Sequence, residues 1–296
     1  MIDALKPSSG PSSRGFHRLA LYAACPQKFV YSQLRHLEPL RMSEPLALGS
    51  MLHLALMHHY LAKMGRESLD PIEAMRSAPA RMAYCFERAK SVFTAYREWS
   101  AIVDAQWDLL DVERQFEVNV AGSLYTQRAD LVVRSKADSK VYLVDHKCLM
   151  STSVATLPKW RLLDGQNYGY DLLGRALIGR YVYENAVFGG VFLNLIKCSA
   201  PFAFKRHPLP ISNRLREAFI DALAASIDGM DRVESRLVGS IGIPFEAERR
   251  GLINGICQGR YDACEYTELC LRGESAMPSY QVAVDQGTRV KEGSGR

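Results

Sequence analysis

Asp145 and Lys147 stand two apart in a β-branched, apolar run, Val141-Tyr142-Leu143-Val144-Asp145-His146-Lys147. Side chains on a strand alternate faces, so Val141, Leu143, Asp145 and Lys147 share one face, with the acid and the ammonium adjacent. A second run, Arg128-Ala129-Asp130-Leu131-Val132-Val133, precedes it. The polar stretch Ser135-Lys136-Ala137-Asp138-Ser139-Lys140 between them is turn chemistry, which predicts neighbouring strands and lets Asp130 reach the same surface. Two acids and a lysine converging on a sheet suit a hard cation such as Mg²⁺ or Mn²⁺, which takes carboxylate oxygens and keeps several waters. Such an ion can activate a water and steady the charge on a phosphate, with the lysine orienting that water. A lone D-x-K triplet is common where strands meet water, so the weight rests on its surroundings.

Residues 15–37 read as helical, with Cys25-Pro26 breaking them into two short helices. Residues 46–63 read as a strong helix in which Gly49 and His53 are four apart and share a face. His53 is a possible metal ligand, although by spacing alone it reads as a core histidine among Leu52, Leu56 and Met57. One or two helices follow over 71–99. A strand is predicted over 112–120, with a hairpin turn at Ala121-Gly122-Ser123 into a strand over 124–133. After Lys147 a polar loop leads to a helix over 160–177, where Gln166 and Tyr170 share a face and by themselves read as a surface glutamine and a core tyrosine. Residues 187–197 are almost continuously apolar, as in a central strand. Residues 209–237 hold a helix with Leu215, Phe219, Leu223 and Ile227 as its core stripe.

The 296 residues are 48% hydrophobic and 23% charged, enough for a substantial core, and the net charge of +5 permits a polyanionic partner without demanding one. No run of eighteen apolar residues appears, so no membrane span is expected. The first residues lack the basic-then-apolar order of a signal peptide, which points to a reducing cytosol. There the seven cysteines favour metal binding or burial over disulfides. Three of the seven, Cys257, Cys264 and Cys270, fall within fourteen residues. A thiolate site for zinc or an iron–sulfur cluster wants four ligands, and Cys25 is the best candidate for the fourth. Residues 1–14 read as a flexible lead-in and 274–296 as a disordered tail.

In this order the motifs resemble the PD-(D/E)XK nuclease superfamily, and within it the RecB-like branch of CRISPR-associated and phage exonucleases that carry an iron–sulfur cluster. The carriers are Cys25-Pro26 near Phe29, the G-x-x-x-H pair Gly49 and His53, the R-x-D of Arg128 and Asp130, the D-x-K of Asp145 and Lys147, the Q-x-x-x-Y of Gln166 and Tyr170, and the final cysteine trio. Six weak motifs in order override the bland readings of His53 and Gln166. The resemblance implies an α/β (α+β) fold: a restriction-endonuclease-like central mixed sheet flanked by helices, with an N-terminal helical layer and a C-terminal cysteine-rich region. It places a nuclease domain over 15–273, divided into a helical part (15–105), a catalytic core (110–240) and an iron–sulfur region (250–273).

The resemblance further implies that His53, Asp130, Asp145 and the His146 backbone carbonyl hold the catalytic metal, and that Lys147 serves the attacking water. Gln166 and Tyr170 would act at the DNA or the site wall. Cys25, Cys257, Cys264 and Cys270 would hold a [4Fe–4S] cluster, with zinc the alternative. Two departures stand out: Gln127 lies where the family commonly has glycine, and six residues separate Cys257 from Cys264 where many members have two. Lys159 and Arg161 are candidates to track phosphates and Trp160 to stack a base, against the alternative of a solvated helix start. The implied activity is metal-dependent DNA exonucleolysis on single-stranded ends in recombination, repair or phage DNA processing. A helicase, recombinase or single-strand-binding protein is a natural partner. The rivals are a non-catalytic DNA-binding or assembly subunit and a structure-specific endonuclease.

Overall fold

The computed structural model describes residues 14–40, 42–120, 122–238, 246–258 and 263–282. In chain order the elements are α1 (Phe16–Ala24), α2 (Pro26–Phe29), β1 (Leu37–Pro39), α3 (Glu44–Lys63), α4 (Pro71–Arg76), α5 (Phe86–Val103), β2 (Trp107–Val120), β3 (Ser123–Ser135), β4 (Val141–Leu149), α6 (Gly165–Leu177), β5 (Phe188–Lys197), β6 (Ala203–Pro208), α7 (Asn213–Val238), α8 (Gly251–Asn254), α9 (Thr267–Arg272) and β7 (Tyr280–Val282). The chain divides into two compact units, Met1–Phe16 with Arg41–Ala224, and His17–Leu40 with Ala225–Arg296. In this division residues 17–40 group with those after 224. Among the described residues no helix is long and apolar enough to cross a membrane.

The first unit is built on a five-stranded mixed sheet in the order β2-β3-β4-β5-β6, flanked by helices as expected. Gly122, at a positive φ of 86°, turns β2 into β3, and the two pair antiparallel from Val120↔Ser123 to Trp107↔Ser135. The turn after β3 returns the chain as β4, again antiparallel. β4 and β5 run parallel, which requires a crossover, and α6 lies in that connection. β6, unforeseen in the sequence, pairs antiparallel on the outer edge of β5. Its residues, Ala-Phe-Lys-Arg-His-Pro, show no apolar alternation because an edge strand need not bury both faces.

α3 and α5 cover the sheet through Leu48, Leu52, Leu56, Val92 and Phe93, which pack with Leu131, Val133, Val144 and Ile196. α6 begins at Gly165, later than predicted, because the Asp164 side chain accepts from the Gln166 N–H and caps the helix there. Residues Lys159–Leu163 form a 3₁₀ turn instead. α6 approaches β3 closely at Gly169: a Cβ there would collide with Gln127 Oε1 and the Tyr125 hydroxyl. Gln127 in turn donates from Nε2 to the Gln166 carbonyl at 2.8 Å and accepts from Tyr125 at 2.6 Å. The departure from glycine at 127 thus has a structural use, tying the start of α6 to β3.

In the second unit the break at Cys25-Pro26 separates α1 from α2, with Cys25 extended (φ −162°, ψ 109°) and proline opening the new helix. β1 pairs antiparallel with β7, from Leu37↔Val282 to Pro39↔Tyr280. Tyr31, Leu37, Tyr266, Leu269 and Tyr280 form a small separate core. The disordered tail predicted over 274–296 is corrected accordingly. Gly273–Ser279 is a 3₁₀ segment and Tyr280–Val282 a strand, held because Tyr280 stacks on Tyr266 (ring centroids 5.8 Å apart) and donates to the Glu265 carbonyl. Residues 283–296, like all but Arg14 of the lead-in predicted over 1–14, lie outside the described residues.

The close approach at Gly169 yields a test of packing. Gly169→Ala is expected to destabilise by about 1–3 kcal/mol through overpacking. Gly49→Ala, where an added Cβ meets open space within α3, is expected to be neutral or up to about 1 kcal/mol more stable. Thermal or urea melts of the two variants check this.

Candidate active site

The pairing of β3 with β4 ends at Leu131↔Val144, whereas β4 stays paired with β5 through Leu149↔Lys197. The strands carrying Asp130 and Asp145 therefore part just where the two acids begin. The His146 N–H, on the freed edge of β4, is taken by Asp130 Oδ2 at 2.6 Å. His53, from α3, brings its Nδ1 to 3.6 Å from the same oxygen. Burial pushes the Asp130 carboxyl up; the neighbouring His53 opposes this, while Asp145 pushes it further.

Asp145 is buried and surrounded by donors. Lys147 Nζ lies 2.8 Å from its Oδ2 and 3.1 Å from its Oδ1. The Tyr170 hydroxyl lies 3.1 Å from Oδ1 and 2.9 Å from the Arg128 carbonyl. Gln166 accepts from Lys147 at Oε1 (2.6 Å) and donates from Nε2 to the Tyr170 hydroxyl (3.2 Å) and weakly toward Asp145 (3.5 Å). The i, i+4 pair on α6 thus clamps the acid and the ammonium of the strand motif.

Glu113, absent from the sequence prediction, joins this group. Its register on β2, between Val112↔Leu131 and Arg114↔Ala129, sets it level with Asp130. Its backbone is left-handed, φ 51°, a strained state for a residue with a Cβ. Ligand atoms of His53, Glu113 and Asp130 all lie within 4.8 Å of one another. Burial raises the Glu113 carboxyl to about 8, with Asp130 adding to the rise and Arg128, 2.7 Å away, opposing it. Two crowded, raised carboxyls beside an imidazole are a donor set that a divalent cation relieves. A turn centred on Gly122 would set residue 113 level with residue 131; the observed register, beginning at Val120↔Ser123, is what brings Glu113 level with Asp130.

The His146 side chain leaves β4 on the face opposite Asp145 and Lys147, where its ring meets the His53 ring edge-on, 6.0 Å between centroids. Its ring is buried, 14° from parallel with Tyr60 at 5.9 Å, and its Nδ1 is 2.7 Å from Asn194 Nδ2. Burial, with His53 and Arg206 adding to it, holds this imidazole well below its ordinary value and so neutral. Lys159, Trp160 and Arg161 lie together in the 3₁₀ turn before α6. Lys159 and Trp160 are exposed, while the Arg161 guanidinium sits 4.2 Å from the Trp160 ring centroid and pairs with Asp164. Asn167 and Tyr168 of α6 hydrogen-bond to the Arg161 and Leu162 carbonyls, pinning the turn to the helix.

Cys25, Cys257, Cys264 and Cys270 line one cavity of about 120 Å³ in the second unit, with Tyr31 and Arg249 beside them. Burial raises the Cys257 thiol, and Cys25 and Cys270 raise it further. Crowded thiols of this kind favour a cationic occupant. Cys85, Cys148 and Cys198 are not among the residues lining this cavity.

A family model of the PD-(D/E)XK nuclease superfamily matches residues 16–271. This chain belongs to the PD-(D/E)XK nuclease superfamily. Its members hydrolyse phosphodiester bonds of DNA using divalent metals such as Mg²⁺ or Mn²⁺. No curated protein matches the sequence. Among solved structures, an exonuclease, so named by inference, from Eubacterium rectale is similar at a TM-score of 0.50 and 11% identity, over 88% of this chain and 93% of its own. That likeness agrees with the restriction-endonuclease-like fold. The crystal structure of SSO0001 matches at a TM-score of only 0.29 with 12% identity, over 61% of this chain and 74% of its own, and adds no argument.

The raised Glu113 carboxyl predicts a pH dependence with a definite sign. A carboxyl whose folded value exceeds its unfolded one keeps its proton longer in the folded state, so stability falls as pH rises from the usual carboxylate range through about 8. The melting temperature of EDTA-treated protein is expected to fall across that window. Glu113→Gln or added Mn²⁺ is expected to flatten the slope, as thermal melts against pH will read.

Proposed function

We propose that this chain is a metal-dependent DNA exonuclease of the RecB-like, iron–sulfur branch, acting on single-stranded ends. The observation that carries it is the convergence of His53, Glu113 and Asp130 beside the clamped pair Asp145 and Lys147. When bound, a divalent cation supplies Lewis-acid charge to the phosphate and lowers the pKa of a bound water. His53, Asp130, Asp145 and the His146 carbonyl would hold it, with Glu113 as a further carboxylate. Lys147 holds a positive charge beside the site, fixed by Asp145 and Gln166 rather than left to swing. Tyr170 and Gln166 orient the Asp145 carboxylate. Lys159 presents an exposed cation for a phosphate, and Trp160 an exposed ring for a base, on a turn that α6 holds rigid.

Cys25, Cys257, Cys264 and Cys270, which line one cavity, would hold the [4Fe–4S] cluster, with a four-cysteine zinc ion the alternative. The same reading assigns the enzyme to recombination, repair or phage DNA processing, alongside a helicase, recombinase or single-strand-binding protein.

End-labelled linear and circular single-stranded DNA with Mn²⁺ test the activity. Linear DNA is expected to be degraded, circular DNA to resist, and EDTA to stop the reaction; cleavage of the circle would make this an endonuclease instead. Asp145→Ala and Lys147→Ala are each expected to lower the rate by about a hundredfold or more without unfolding the protein.

Iron, sulfide and zinc analysis of anaerobically purified protein tests the cluster. Iron and sulfide are expected in stoichiometric amounts, lost on Cys→Ser at any of positions 25, 257, 264 and 270 but retained in Cys85→Ser. Stoichiometric zinc without sulfide would assign the four cysteines to zinc.

A further inference from the structure

The middle residue of the D-x-K triplet carries an imidazole that the chemistry above does not use. It belongs to a polar row across the sheet. His146 on β4, Asn194 on β5 and Arg206 on β6 are register partners, His146↔Asn194 and Asn194↔Arg206. Asn194 Nδ2 donates to His146 Nδ1 at 2.7 Å and to the Tyr96 hydroxyl at 2.8 Å. Tyr96 and Tyr60 share a hydrogen bond of 2.8 Å. Arg206 donates to Tyr60 at 3.1 Å, pairs with Asp104, and is flanked by the Trp107 and Trp99 rings at 4.1 and 5.2 Å. Asn194, Tyr60 and Tyr96 are all essentially inaccessible.

A buried polar row is weak evidence for stability, because well-packed apolar side chains in its place are often as stable or more so. What such a row does well is hold one arrangement. This one ends on the peptide that needs holding. The N–H and C=O of a strand residue lie on the same edge. The His146 N–H points off the freed edge of β4 to Asp130, so its carbonyl shares the edge that faces the candidate metal centre. No β3 backbone partner fixes that edge beyond Val144. The ring on the other side of β4, locked by Asn194 and stacked on Tyr60, supplies the missing constraint.

We propose that His146 and Asn194 are positioning residues for the metal centre, their buried side-chain pair fixing the His146 peptide that holds Asp130 and faces the ion. The proposal rests on the metal-site reading above. Neither side chain touches substrate; both act through that peptide, and the His146 ring also meets the ring of His53 edge-on, 6.0 Å between centroids.

The test is Mn²⁺ binding by full-length protein without DNA, read as free Mn²⁺ by electron paramagnetic resonance, with melting temperature measured in parallel. His146→Leu and Asn194→Ala are expected to weaken Mn²⁺ binding about tenfold or more. His146→Asn keeps an acceptor at the δ position but loses the ring packing. It is expected to bind Mn²⁺ nearly as wild type does while melting at least as early as His146→Leu. If the two His146 variants instead bind Mn²⁺ alike, or if Asn194→Ala lowers only the melting temperature, the role is structural and the proposal is overturned. Should these variants fail to fold, Tyr96→Phe removes only the hydroxyl behind Asn194. A weakened Mn²⁺ midpoint in that variant supports the proposal and an unchanged one overturns it. Wild-type protein that binds no Mn²⁺ overturns the metal-site reading itself, and the proposal with it.

Discussion

A sheet strand must find a partner for every main-chain N–H and C=O, and β4 loses one of its two neighbours after Val144. The loss is one-sided, since β5 continues to hold the other edge. The vacated N–H of His146 is satisfied by a carboxylate, exchanging a neutral sheet bond for a charge-assisted one. That exchange pulls Asp130 into the opening and leaves main-chain polarity facing the same space. A flat, fully paired sheet would present these acids to solvent on one face. The fork places them in a crevice with backbone on its floor, α3 supplying His53 and α6 supplying Gln166 and Tyr170 at its sides.

Charge crowding follows directly. Asp130, Asp145 and Glu113 are three carboxyls held together in a poorly solvated place, and burial and mutual repulsion raise those of Asp130 and Glu113. The cations nearby are distributed so that none cancels the whole: Lys147 is committed to Asp145 and Arg128 to Glu113, while His53 faces Asp130. Residual negative charge in a preorganised cage is what a hard divalent ion needs, and pairing Lys147 with the strand acid keeps an ammonium close to that charge. The left-handed backbone at Glu113 belongs to the same arrangement, strain at a functional position that the surrounding hairpin over-determines.

Much of this was readable because it depends on local periodicity. Strand alternation put Asp145 beside Lys147, and the helical four-residue repeat paired Gln166 with Tyr170. Glu113 escaped because it sits where β2 leaves regular strand geometry, so alternation assigns it no role; the register that sets it level with Asp130 belongs to the folded hairpin. β6 escaped because Lys205, Arg206 and His207 look like loop, yet Arg206 is buried by pairing with Asp104 and by two indole faces rather than by its own hydrophobicity. The segment at 274–282 looked like tail because its attachments are all tertiary: Tyr280 stacks on Tyr266, Glu274 pairs with Arg35, and β7 pairs with β1. Cysteine count identified the C-terminal thiols, but that Cys25 lines the same cavity is a tertiary fact that no spacing encodes.

The second unit is assembled from residues 17–40 and residues beyond 224, with β1 waiting for β7 and Cys25 for Cys270. The chain is made from its N-terminus, so β1 and Cys25 emerge before Arg41–Ala224 and their partners after it. Once residue 224 has been made, Arg41–Ala224 has the sequence it needs to fold, while residues 17–40 still have nothing to close on. Closing so long a loop is entropically unfavourable and kinetically late. Assembly of this thiol-lined unit therefore follows synthesis of the whole of Arg41–Ala224, and the Cys25 thiol remains open to the cell's chemistry until then.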